Sequence, residues 1–205
     1  MISGSATGTT VSNATVNGGA SFNGASGLVE VVQNQTTTYT APATLASVGT
    51  VPTLSKFYFK LNGMEELEYG GTVAVTTSVM GFSFATTTTT AFNPPGSDKR
   101  FTLAVNGSSA YSTTSSVSVA TTGLPATTSN VAIANTVTYL GQETITIPAG
   151  TFTACKFKVA DSSGENHEWF GKGNGAPLKS TSKASDGSSI VLELTAASRI
   201  NGAPL

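Results

Sequence analysis

A chain of 205 residues, 39% of them hydrophobic, can build a core, but only 10% are charged, against roughly 25% in an ordinary soluble domain. Hydroxyls replace the charge: Thr and Ser together supply about three residues in ten, beside 22 Gly, a mixture that favours strands and turns. The net charge of −1, with no basic cluster longer than Lys99-Arg100, excludes nucleic acid as a partner, and no apolar run is long enough for a transmembrane helical segment.

In chain order, residues 1–27 offer little to bury beyond Val11, Val16 and Phe22, and read as a flexible Ser/Thr/Gly-rich leader ahead of a single all-β domain over 28–205. Residues 27–32 open the first credible strand, with 36–40 as its continuation or the next one, stopped by Pro42. Over 55–61 the alternation is clear: Phe57, Phe59 and Leu61 share a face opposite Lys56, Tyr58 and Lys60. Glu65, Glu66 and Glu68 follow Asn62-Gly63 on a turn or short helical segment. Strands are expected at 72–79 and 82–85, the latter extended by Thr86 to Thr90, since β-branched Thr suits a strand. Residues 93–98, with Pro94, Pro95 and Gly96, form the strongest break in the chain. Beyond it come a strand at 100–105, a hairpin turn at Asn106-Gly107, and a strand through Val117 and Val119. Further strands fall near 139–141, 144–147, 152–159, 165–170, 178–183 and 189–195. With about ten to thirteen strands of period two and short turns, the fold is an antiparallel meander forming a curved sheet, open barrel or sandwich.

No catalytic group emerges. His167 is the only histidine, and no nucleophile-elbow spacing accompanies the many serines, so it reads as an exposed strand or turn residue; its neighbours Glu165 and Glu168 would be the partners if chemistry existed there. Cys155 is the only cysteine, placed by alternation with Phe157 and Val159, and reads as a buried, inert thiol. One His and one Cys cannot build a usual zinc site, and Glu65, Glu66 and Glu68 lack calcium-loop spacing. Gly171-Lys172-Gly173-Asn174-Gly175 is not followed by the Lys-Ser/Thr of a phosphate loop and reads as a flexible turn. No cofactor or metal is therefore expected, and the chain reads as a non-enzymatic protein.

Residues 139–157, then Trp169-Phe170 and the run from Gly171 to Lys179, carry a likeness. The stretch Gly141-Gln142-Glu143-Thr144-Ile145-Thr146-Ile147-Pro148-Ala149-Gly150-Thr151-Phe152, followed by the Trp strand and Gly-rich turn, resembles a pattern in exported bacterial envelope proteins of unknown function. Those proteins look like half-barrel lipoprotein carriers, so the resemblance implies a curved antiparallel sheet and a structural motif of Pro148, Ala149, Gly150, Phe152, Trp169, Gly171, Gly173 and Gly175. Asn174 and Pro177 depart from the pattern. The expectation is an extracytoplasmic protein, periplasmic, envelope-tethered or secreted, that binds a lipid or other apolar ligand, or a protein partner. Its alternative is a self-associating structural subunit of a surface layer, fibre or appendage. Because residues 1–6 lack a basic start and an apolar stretch, an exported form is expected to have lost its signal peptide, with Met1 as a start put in its place.

Overall fold

The computed structural model describes residues 7–41, 48–79, 82–162, 164–184, 187, 189–200 and 202–204. The chain is all-β, an antiparallel meander as its period-two patterning requires. Eleven strands follow one another in a single sheet in sequence order: β1 (Thr7–Phe22), β2 (Ala25–Ala41), β3 (Thr50–Asn62), β4 (Glu65–Val79), β5 (Phe82–Asp98), β6 (Ser108–Thr121), β7 (Thr127–Ile147), β8 (Gly150–Asp161), β9 (Gly164–Gly171), β10 (Pro177–Ala184) and β11 (Ser189–Glu193). The order is open, with β1 and β11 at its ends. A two-stranded pair, β12 (Arg199–Ile200) and β13 (Ala203–Pro204), and one 3-10 turn at Arg100–Thr102 complete the described elements. Turn chemistry explains the tight connections. Asn23 and Gly24 both take positive φ, 46° and 81°, as a primed two-residue hairpin turn between right-twisted strands demands.

Several sequence expectations are corrected here. Most of the segment read as a flexible leader is β1, paired with β2 from Thr7↔Ala41 to Phe22↔Ala25. Its few apolar groups misled, because a strand draws its main-chain hydrogen bonds from its neighbour whatever its side chains, and β-branched Thr fits the pleat. Residues 1–6 and the stop at Pro42 lie outside the described residues. Glu65, Glu66 and Glu68 are not on a turn or helical segment but at the start of β4. The expected break at 93–98 is the last third of β5, paired with β6 as far as Asn93↔Thr114. Proline lacks only its N–H and is tolerated in a strand where that donor is not called on. The strand expected at 100–105 is instead the 3-10 turn and a loop, and Asn106 (φ 64°) turns that loop into β6 rather than closing a hairpin. The strands expected near 139–141 and 144–147 are one, β7, which absorbs an extra residue between Tyr139↔Phe157 and Gly141↔Lys156.

The chain divides into two compact units where one domain over 28–205 was expected: one of described residues up to Asn62 with Glu66–Gly96 and Thr113–Ala132, the other of Gly63–Glu65, Ser97–Ser112 and the residues from Ile133 onward. Each has its own buried groups. The first buries Leu28, Tyr58, Thr113 and Ser115; the second is built on Ile147, Ala154, Trp169, Ala176 and Leu178, ringed by Ile145, Ala149, Phe152 and Leu194.

A candidate binding groove and the clusters around it

In the first unit, β2 to β5 enclose a groove of about 530 Å³. Strand alternation builds its walls. Val31 and Phe57 sit opposite each other across β2 and β3, Phe59 lies two residues on from Phe57, and Val73, Thr90 and Phe92 come from β4 and β5. Gly70 and Gly71 explain why the space exists. A Cβ on Gly71 would collide with the Lys56 carbonyl oxygen of β3 and one on Gly70 with the Thr90 carbonyl oxygen of β5, and Gly70 holds φ 116°. The β4 backbone thus passes tightly between its neighbours and raises no side chain, leaving room between the aromatic walls. Glu66 and Glu68 line the same groove. Phe57 remains 45% exposed, an apolar ring of the groove wall facing solvent.

The opposite face of β1 to β3 is locked by polar contacts. The Phe22 and Tyr58 rings stack at 4.4 Å with 9° between planes. The Glu30 carboxylate accepts from Asn17 Nδ2 at 3.1 Å and from Tyr58 Oη at 2.9 Å, and pairs with Lys56 Nζ at 3.3 Å. The Asn17 and Tyr58 hydrogen bonds and the Lys56 charge hold Glu30 below the ordinary carboxylate range, while burial and the Glu30 carboxylate push Tyr58 up. Ser115 on β6 is 1% exposed, and its Oγ has no hydrogen-bond partner among the described residues.

In the second unit, the loop after β5 lays Arg100 and Phe101 on the aromatic face of β7 to β9. Phe101 meets Phe157 and Phe170 edge-on at 5.7 and 5.9 Å, and Tyr139 tilts on Phe157 at 5.0 Å. The Arg100 guanidinium lies 5.6 Å from the Phe170 centroid and binds Asp98 through Nη2 at 2.6 Å and Nε at 2.8 Å, with Glu168 as a further partner. Burial alone would lower the Arg100 pKa, but the two carboxylates outweigh it and raise it, so the cation is permanent. One guanidinium thus ties the end of β5 to β9, which makes the cluster a structural clasp.

Trp169 lies on the other face of β9, 7% exposed, and donates Nε1–H to Glu143; Lys156 and Lys179 sit over its ring at 5.0 and 5.6 Å. The Trp169 hydrogen bond and the Lys156 charge depress the Glu143 pKa. Pro148 and Ala149 make the two-residue turn into β8, Gly150 takes φ 137°, and Phe152 packs on the Trp169 core. Gly171 has no room for a Cβ because Asn174 Oδ1 occupies that space, and the Asn174 side chain accepts from the Ala176 N–H at 3.1 Å. Gly173 and Gly175 carry the turn with φ 91° and 65°. Asn174, the departure from the resemblance pattern, therefore holds the turn. The motif residues cluster at one end of β7 to β10, away from the groove walls in sequence. His167 is on β9, with Nε2 3.6 Å from Glu165, while Glu168 on the opposite face joins Arg100. Cys155 is half-buried rather than fully buried, with the Tyr139 hydroxyl 3.7 Å from Sγ.

The groove was missed in sequence. Its legible signal is a Gly-Gly pair inside a strand pattern, which marks close backbone approach. Among the described residues, no group of three or more potential ligands could hold a metal ion, and no helix is long and apolar enough to cross a membrane. Compared with protein-family models, curated proteins and solved structures, the chain matches none.

Proposed function

We propose that the protein is a non-enzymatic binding protein that takes an apolar ligand into the groove of its first unit. The observation carrying this reading is the groove itself: its volume lies within the roughly 300–1,000 Å³ of small-molecule sites, and Val31, Phe57, Phe59, Val73 and Phe92 supply apolar walls. A monoacyl lipid, with one chain to lie against the apolar walls, fits this description. The Thr- and Ser-rich, charge-poor composition supports an extracytoplasmic setting, where such a protein would carry or shelter its ligand.

The test is native mass spectrometry and thermal shift with a monoacylglycerol and with the fatty acid of the same chain length. At least one of the two is expected to bind one to one and raise the melting temperature. Phe57→Glu places charge on a wall already half open to water, so it should leave the fold intact and abolish the shift. No complex with either lipid, or an unchanged affinity in Phe57→Glu, overturns the reading.

A further inference from the structure

The outer edge of β1 is a second surface with unspent chemistry. β1 ends the sheet order, so along one side its N–H and C=O groups meet no described strand. Natural sheets blunt such edges with charge, proline, short strands or bulges. β1 has none of these over residues 8–17. That stretch contains no charged residue and no proline, and its register with β2 runs without a shift from Gly8↔Tyr39 to Asn17↔Glu30; irregularity falls on either side of it, between Thr7 and Gly8 and between Asn17 and Ser21. The other terminal strand contrasts with it. β11 spans five residues and ends on Glu193, which is ion-paired to Lys179 at 2.8 Å.

We propose that β1 is a self-association edge that pairs antiparallel with β1 of a second copy of this chain, about a twofold axis perpendicular to the sheet. This goes beyond the ligand-binding reading and does not depend on it. Three features select a second copy as the occupant. An uncharged edge meets its own copy without like-charge repulsion. Its exposed side chains are of the kind that satisfy one another across a ladder, as Thr10 does with Thr37 at 2.9 Å and Ser12 with Gln33 at 2.9 Å on the inner side. Strand length also selects against head-to-tail growth: β11 offers a partner strand only five residues.

Symmetry fixes the register to two choices. A perpendicular twofold keeps each side chain on its own face, so a residue can oppose only residues of its own parity in the second copy. Nearly full use of the regular stretch then puts the axis at Ser12, pairing residues 8–16, or at Asn13, pairing residues 9–17. With the axis at Ser12, Thr9 opposes Thr15 of the second copy. Either way Ser12 or Asn13 faces itself, and both are exposed.

Sedimentation equilibrium of the full chain over ~1–100 µM, a span that brackets a micromolar dissociation constant, is expected to show a monomer–dimer equilibrium. The double variant S12K/N13K and its counterpart S12E/N13E each place like charges against themselves in both registers. Each should keep the circular dichroism and melting temperature of the parent and raise the dissociation constant at least about tenfold. Mixing the two variants should restore a dimer containing one copy of each, seen by native mass spectrometry. Hydrogen exchange on the unaltered chain reads the edge independently: amides within residues 8–17 should gain protection with concentration. A monomer throughout, open-ended polymers, parent-like association of both variants, no dimer on mixing, or protection independent of concentration overturns the proposal. Association unchanged by Phe57→Glu separates this edge from the groove.

Discussion

Replacing Arg100 by methionine is the sharpest test of how the second unit is held together. The side chain keeps a similar length and apolar reach over Phe157 and Phe170, so packing on the rings is largely retained while the guanidinium is lost. What remains is Asp98, whose side chain is 3% exposed and which loses its Nε and Nη2 partners, keeping only the Arg100 main-chain N–H at 2.8 Å. Stranding one member of a buried pair costs about 3–5 kcal/mol, whereas an exposed pair costs about 0–1 kcal/mol. The Arg100 side chain is 17% exposed, which places it nearer the buried limit. At about 2–4 °C per kcal/mol for a chain of this size, the melting temperature should fall by roughly 10 °C. Trp169 is the only tryptophan and lies in the same unit, so urea unfolding followed by its fluorescence reports this loss directly. Adding Asp98→Asn to Arg100→Met removes the stranded charge and should recover a large part of the stability. A loss below about 1 kcal/mol, or no recovery in the double variant, refutes the buried-pair account.

Ser115→Ala removes a hydroxyl that is buried without a partner, so chemical denaturation should show it neutral to about 1 kcal/mol more stable than the parent; a loss above about 1 kcal/mol would assign that oxygen a partner. Acid should destabilise the protein through Glu143. Its folded pKa lies below its unfolded value, so its contribution is complete above the ordinary carboxylate range near about 4.3 and is lost as pH falls through the depressed value. The stability gap between the parent and Glu143→Gln should accordingly narrow as pH is lowered from about 6 to 3 in a urea titration series, and a gap independent of pH contradicts the Trp169–Glu143 bond.

The class of the fold was legible because strand alternation is a local property: Phe57, Phe59 and Leu61 against Lys56, Tyr58 and Lys60 reads the same before and after folding, and β8 to β11 fall close to where period two puts them. The turn at Pro148-Ala149 was legible for the same reason. Tertiary structure decided whatever depends on a neighbouring strand. β1 has almost no apolar residues of its own and exists as a strand because β2 supplies its hydrogen bonds. Pro94 and Pro95 read as a break, yet β5 runs through them. Arg100 and Phe101 read as a strand until β9 offers the cation Glu168 beside Asp98 of β5, and the aromatic face of β7 to β9 offers the Phe101 ring two partners. The groove belongs to this second kind: Val31, Phe57, Val73 and Phe92 lie on four strands, and only close passage of Gly70-Gly71 between two backbones brings them around one space. Pattern along a chain records which face a residue takes, whereas a site is set by which faces meet, and that is a matter of register between distant segments.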